Sequence, residues 1–380
     1  MELAIGTNPI MKADFPDPDV IRVGDTYYMI STTMHFMPGG AILQSFDLIN
    51  WEIISYVYEQ LEDDPAHSLE HGQSIYGQGM WAASLRFYKN TYYVLFSANE
   101  TKHSYLFQSK DIRGPWIRKD LHEFYHDPSL LFDEDEKVYV VYGNTEIWIQ
   151  ELEKDSFLPK KGGLFRQIIK DMGNIGLGYE GSHMYKIHGN YYVFLIHWRT
   201  DGTRRRTQAC YVSTSLEGEF TGKEVLDDDM QYHNQGIAQG GIVDTPQGDW
   251  YAILFQDRGA VGRIPILLPL QWHKNFPVFG IDEKVPMVLK TVSTRPNHQY
   301  EPLCASDDFR DQGKEGQATQ LKKVWQWNHN PNKEAWKLNP EKGILYLKTV
   351  KTSINILQAS NCLTQRLLFP KCVVEVNIDG

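Results

Sequence analysis

Along this chain short apolar runs alternate with polar turns, and one pattern returns five times: a tight turn followed by an aromatic-led strand. The copies read VGDTYYMIS around Tyr27, KNTYYVLFS around Tyr92, EDEKVYVVY around Tyr139, HGNYYVFLI around Tyr191 and QGDWYAILF around Trp250. β-Branched and aromatic residues bounded by Gly, Asp and Asn mark strands that end in turns. The markers are spaced by 65, 47, 52 and 59 residues, enough for four strands per unit. Such a period signals a propeller or a solenoid. The expected fold is all-β, with a five-bladed β-propeller over residues 1–300. SFDLINWEII (45–54), SKDIRGPWIR (109–118) and STSLEGEFTG (213–222) read as outer strands. PILLPLQWHKNFPVFG (265–280) reads as the end of the last blade. Helical periodicity is scarce, and LFRQIIKDM (164–172) is its best candidate.

The repeat stops near 293–309, where Pro and Asp accumulate. Beyond it GILYLKTVK and KCVVEVNIDG alternate apolar and polar positions, as strands of a β-sandwich do. Residues 301–380 are expected to form a short, incomplete sandwich module. A small sheet with bare edges is marginal, so it should be poorly anchored or lie against the propeller rim.

Composition removes several functions. A net charge of −10 gives no basic footprint for nucleic acid. Arg204, Arg205 and Arg206 form the only basic cluster and read as a solvated loop. No run of 18 apolar residues occurs, so no membrane span is expected. The start, MELAIGTNPIMKADF, lacks a basic segment followed by an apolar one, and a cytoplasmic location is expected. Cys210, Cys304, Cys362 and Cys372 are widely spaced and fit reduced, structural thiols. An aromatic content of 13% suits both β-packing and sugar binding and does not separate them.

Counting back ten to twelve residues from each marker gives Asp17, Trp81, Asp127, Glu180 and Gln239. If five units close into a ring, these residues converge on its axis. Glycosidic cleavage commonly needs one carboxylic acid to protonate the leaving oxygen and one carboxylate opposite it. A third can raise the acid's pKa by like-charge repulsion. An Asp-Pro pair also makes a turn by itself, since Asp bonds its own backbone and Pro fixes the next φ. What points to chemistry is the register of both Asp-Pro pairs with Glu180.

The ordered set N-P…D-F-P-D-P-D (8–19), G-M-W-A-A-S (79–84), H-D-P-S-L (126–130) and Y-E-G-S-H-M-Y-K (179–186) resembles glycoside hydrolase family 43. The resemblance implies a five-bladed propeller of inverting enzymes acting on arabinose- and xylose-containing polysaccharides, with the tail as the start of an appended β-sandwich. It casts Asp17 as general base, Glu180 as general acid and Asp127 as the group that raises the acid's pKa and orients it. Arg263, in GAVGRIPILLPLQW, resembles the arginine that closes the pocket of exo-acting members, although a surface salt bridge is the rival reading. The implied substrates are pentose-containing oligosaccharides, with xylose and arabinofuranose hard to separate. Trp81, Phe36 and Trp198 are candidate pocket walls, because sugars offer apolar faces to aromatic rings, and each also suits core packing. His35 fits either the pocket rim or a loop histidine satisfied by backbone.

One position departs from the family. Many members carry a histidine in a Gly-His-Gly stretch of the fifth unit, near a calcium ion or water cluster. This chain reads IAQGGIVDT there, with Gln239 in its place, and His233 lies too far upstream to substitute. Glutamine can offer one carbonyl oxygen to a hard cation, so an axial calcium ion is neither required nor excluded. The chemistry itself needs no cofactor. Fructan-cleaving propellers would show Asn-Asp-Pro-Asn-Gly and Arg-Asp-Pro, which this chain lacks. A non-catalytic carbohydrate-binding or scaffolding propeller would make the three carboxylates accidental.

Overall fold

The computed structural model describes residues 2–171, 176–310 and 320–378. Each repeat unit is a four-stranded antiparallel sheet of consecutive strands. The aromatic markers lie on or next to the second strands: Thr26–Ser31, Thr91–Ala98, Val138–Asn144, Asn190–Trp198 and Trp250–Asp257. The first strands, Asp19–Val23, Met80–Tyr88, Ser129–Phe132, Glu180–Ile187 and Ala238–Asp244, touch one another in sequence and close the ring. The chain is a five-bladed β-propeller.

Closure is made by the chain ends of the ring. Strand Glu2–Thr7 pairs antiparallel with Val288–Ser293. Beside it Asn8, buried, donates to the Leu267 and Pro286 carbonyls and accepts from the Leu267 N–H. A buried carboxamide satisfied three times over ties the first segment to the last blade. At the axis Asp19, fully buried, accepts from Arg86 at 2.6 Å and from the Leu85 N–H at 2.7 Å, and faces His183 Nδ1 at 3.1 Å. Arg86 also donates to Ser129 and the Leu130 carbonyl, so one ion pair joins four blades. Although burial opposes ionisation, Arg86 and His183 hold the Asp19 carboxyl below its usual range.

Three expectations change here. The Ser-x-Asp…Trp segments run from the last residue of the third strand through a turn into the first residues of the fourth, outer strand, so only their ends are strand. Ser45 Oγ accepts from the Asp47 and Leu48 N–H groups, and Ser109 and Ser213 serve their own turns likewise. The helix candidate is strand Phe165–Lys170, the outer strand of the third blade, and Met172 lies outside the described residues. Sheet pairing with Glu146–Gln150 overrides its weak helical pattern. Arg205 and Arg206 are also not a free solvated loop, since they pair with Asp227 and Asp257.

Beyond the ring, Gln326–Trp327 pairs with Leu363–Thr364, and Trp336–Asn339 with Ile344–Leu347. This module lies on the propeller. Met37 and Trp327 exchange backbone hydrogen bonds of 2.9 and 2.6 Å, Asn330 N–H bonds the His67 carbonyl, and Phe369 N–H bonds the Lys12 carbonyl. Among the described residues no helix is long and apolar enough to cross a membrane.

Candidate active site

At the head of each first strand the backbone takes the left-handed region: Asp17 (φ 49°), Ala82 (26°), Asp127 (46°), Gly181 (65°) and Gln239 (58°). Each stands two residues before a residue paired to the equivalent point of its second strand: Asp19, Ser84, Ser129, His183 and Gly241. Non-glycine residues rarely accept positive φ, and such bends gather where a side chain must be re-aimed. The register therefore needs one correction. Asp17, Asp127 and Gln239 are strictly equivalent, whereas Trp81 and Glu180 precede their equivalent positions, Ala82 and Gly181, by one residue. A one-residue register shift lies at this point in the strands of Trp81 and Glu180, and in that of Gln239 as well.

All five predicted axial residues line one cavity of about 200 Å³, together with Ala82, Ser97, Asn99, Phe124, His126 and Arg263. That is below the roughly 300–1,000 Å³ of pockets for drug-sized ligands, and it suits a single small ring.

Asp17 is 1% exposed and fully engaged at its walls. Oδ2 accepts from Thr32 Oγ1 at 2.8 Å and Oδ1 from Arg263 Nη1 at 2.9 Å. Arg263 heads a strand of the fifth blade, and its guanidinium sits 5.4 Å from the Trp81 ring and 4.7 Å from the Phe255 ring. Asp257 lies 3.9 Å from its Nε and is shared with Arg206. Arg263 thus spans from the Asp17 carboxylate to the aromatic wall.

Facing it are His126, Asp127 and Glu180. Glu180 Oε2 accepts from Asn144 Nδ2 at 2.6 Å and lies 3.2 Å from His126 Nε2. Asp127 Oδ2 accepts from the Gly181 N–H at 2.9 Å, and His126 Nε2 is 3.7 Å away. Burial, with the negative charges of Glu180 and Asp17, raises the Asp127 carboxyl to about 7 against the pull of His126. Burial disfavours the imidazolium of His126, but the bond to Glu180 and the Asp127 charge outweigh it and lift the group to about 9.

His126, Asp127 and Glu180 each place one ligand atom within 4.8 Å of the others, the spacing of a metal site, yet each already has a partner within the protein. At the axial position expected for calcium, Gln239 donates its N–H to Gln208 Oε1. A calcium ion wants six to eight oxygens. Besides the Gln239 carboxamide, the neighbouring Ser182 hydroxyl is buried without a partner among the described residues, while His183 is held by Asp19. Asp17 and Asp127 line the same axial space, but their oxygens already accept from Thr32, Arg263 and the Gly181 N–H, so this donor set fits a protein-held calcium ion poorly.

Phe36, His35 and Trp198 do not line the cavity. The loop after the first marker strand turns toward the C-terminal module, where Met37 pairs with Trp327. His35 is buried there against Phe36, Tyr76 and His329. Trp198 ends its strand with its N–H on the Leu177 carbonyl and its ring against Gly176. The sequence reading passed over His126, Asn144, Asn99 and Phe124. His126 was visible in H-D-P-S-L, but Asn144 is brought to Glu180 only by the adjacent blade.

Residues 6–277 match the family model described as Glycosyl hydrolases family 43, and residues 314–379 match the Beta xylosidase C-terminal Concanavalin A-like domain. The chain belongs to glycosyl hydrolase family 43. It is 29% identical to a protein named beta-xylosidase from Formosa agariphila, over 92% of this chain and 62% of that protein. A non-reducing end α-L-arabinofuranosidase of Bacteroides ovatus is 27% identical, over 92% of this chain and 65% of that protein. A solved bifunctional GH43-CE protein of Bacteroides eggerthii superposes with a TM-score of 0.88 at 41% identity, covering 97% of this chain and 47% of that one. The chain thus spans about half to two thirds of the length of these relatives.

Proposed function

We propose that this protein is an exo-acting, inverting glycosidase that releases a terminal xylose or arabinofuranose from pentose-containing oligosaccharides. The carrying observation is that Asp17, Asp127 and Glu180 meet in one small cavity walled by Arg263 and Trp81. Asp17 takes a proton from water, whose oxygen attacks the anomeric carbon. The bond to the leaving oxygen breaks as Glu180 supplies that oxygen with a proton. Asp127 keeps the proton available within the His126–Asp127–Glu180 set, and Arg263 orients both Asp17 and the sugar hydroxyls through its planar donor fork. No step calls on a metal, and the proposed enzyme is cofactor-free. The names of the Formosa and Bacteroides relatives support the pentose specificity.

The test is hydrolysis of 4-nitrophenyl β-D-xyloside and α-L-arabinofuranoside, followed by product analysis on xylo- and arabino-oligosaccharides. Turnover of at least one aryl glycoside, with monosaccharide as the only early product, is expected. Binding without turnover of either would assign a carbohydrate-binding propeller instead, and a ladder of intermediate oligomers would overturn exo action.

A further inference from the structure

The segment Arg366–Phe369 of the C-terminal module grips the two chain stretches that deliver Asp17 and Arg263. Arg366 Nε donates to the Asp14 carbonyl at 2.7 Å, and its guanidinium stacks 4.3 Å from the centre of the fully buried Phe15 ring. Three residues on, Phe369 N–H bonds the Lys12 carbonyl at 2.7 Å. The Phe369 ring lies 5.2 Å from the Arg258 guanidinium, which covers Tyr232 at 3.6 Å.

Those stretches are locked to each other. Asp14 Oδ1 accepts the Arg263 N–H at 2.7 Å, and the Phe15 N–H donates to the Arg263 carbonyl at 2.9 Å. The turn before Arg263 runs from Arg258, whose N–H bonds the Gly262 carbonyl. Gly262 sits at φ 106°, and a Cβ there would fall 2.1 Å from Asp14 Oδ1, so only glycine lets the carboxylate reach the strand. From Arg366 a continuous path therefore runs through Asp14 and Phe15 to the Arg263 backbone, and from the Arg263 side chain to Asp17 at 2.9 Å.

We infer that Arg366 is a positioning residue of the active site: the C-terminal module holds Arg263 in line with Asp17 from outside the propeller. It touches none of the groups lining the cavity except through Asp14, Phe15 and Arg263. The accessory module is, in this reading, part of the machinery that aligns the base and the substrate-closing arginine. The inference rests on the glycosidase reading proposed above.

The experiment compares the wild type, Arg366→Met, Arg366→Lys, Arg263→Ala and the double variant Arg366→Met/Arg263→Ala on the better aryl pentoside. Methionine keeps an apolar stem over Phe15 but offers no donor, and lysine restores a cationic donor. Melting temperature and circular dichroism are recorded alongside. Misplacement on the order of 1 Å can cost about 100-fold in rate. Arg366→Met is expected to lower kcat/KM roughly 10- to 100-fold, with Arg366→Lys recovering most of the loss. Because Arg366 acts through Arg263, the double variant should be no slower than Arg263→Ala alone. Losses that multiply, or an Arg366→Met variant with wild-type kcat and KM, would overturn the inference. If Arg366→Met does not fold, the comparison is made with Phe369→Leu, which loosens the same strap and carries the same expectations. A wild type inactive on every pentoside would instead sink the functional reading itself, and this inference with it.

Discussion

Arg263 Nη1 stands 2.9 Å from Asp17 Oδ1, and the carboxylate is 1% exposed while the guanidinium side chain is 24% exposed. The buried partner is the one proposed to activate water, and the accessible partner is the one proposed to meet sugar. One arginine thus couples substrate position to the aim of the base. Removing a positioned donor from a developing charge typically costs roughly 10²–10³ in turnover. Arg263→Ala is accordingly expected to lower kcat/KM by about that factor, with both kcat and KM affected. Arg263→Lys should recover little, since a point charge cannot hold Asp17 and two sugar hydroxyls in one plane. Steady-state kinetics of the two variants check this, and a lysine variant near wild type would remove the geometric argument.

The trio opposite gives two pH shifts of opposite sign. Asp127 and Glu180 repel when both are ionised, so removing the Asp127 charge eases loss of the acid's proton, and Asp127→Asn should move the alkaline limb of kcat/KM to lower pH. His126, raised to about 9, carries a positive charge that favours ionised carboxylates. His126→Ala should therefore move the same limb to higher pH. Profiles of both variants against the wild type decide it, and shifts in one common direction would mean that the proton set is misassigned.

A third expectation concerns the leaving group. Glu180→Ala should depress hydrolysis of xylobiose or an alkyl pentoside far more than that of a 4-nitrophenyl or 2,4-dinitrophenyl pentoside, because good leaving groups need little protonation. Asp17→Ala should abolish all of them alike. A Glu180→Ala loss independent of leaving-group pKa would exclude it as the acid.

The contact between module and propeller should weaken in acid. Burial pushes His35 down to about 4, and burial with the His35 and His67 charges pushes His329 to about 3. Both are neutral when folded, and His329 Nε2 accepts the Ile75 N–H at 3.1 Å. Their folded values lie below the unfolded value of about 6.5, so the stability they contribute is full above pH 6.5 and is lost as pH falls toward 4 and 3. His67, raised by Glu100 and Asp64 although burial opposes it, works in the other direction and holds in acid. The melting temperature should fall between pH 6.5 and 4, and His329→Gln, which can still accept from Ile75 but does not titrate, should flatten that fall. An unchanged slope would place the acid sensitivity elsewhere.

Much of this was legible in the sequence, for a physical reason. The period-2 strands and their turn residues are local, so five aromatic markers sufficed to count the blades and to bring Asp17, Trp81, Asp127, Glu180 and Gln239 to one axis. The one-residue offset of Glu180 was hidden, because a count back from the marker strand carries no information on which of two neighbouring residues takes the positive-φ position. Asn144 and Thr32 were invisible, since their partners come from another strand or blade. Phe36 misled because its loop turns toward Trp327, almost 300 residues away in sequence, while His35 meets the Gly77 N–H, the backbone-satisfied alternative. Ser45, Ser109 and Ser213 end the third strands, so the segments they open hold the turn and only the first residues of each outer strand.

The most direct test of the account is the anomeric configuration of the first sugar released, followed by proton NMR in the first minutes of hydrolysis before mutarotation. With Asp17 activating water and Glu180 as acid, the product must appear with inverted configuration. A product of retained configuration would mean that a carboxylate attacks the sugar itself, and the role given to Asp17 would be wrong.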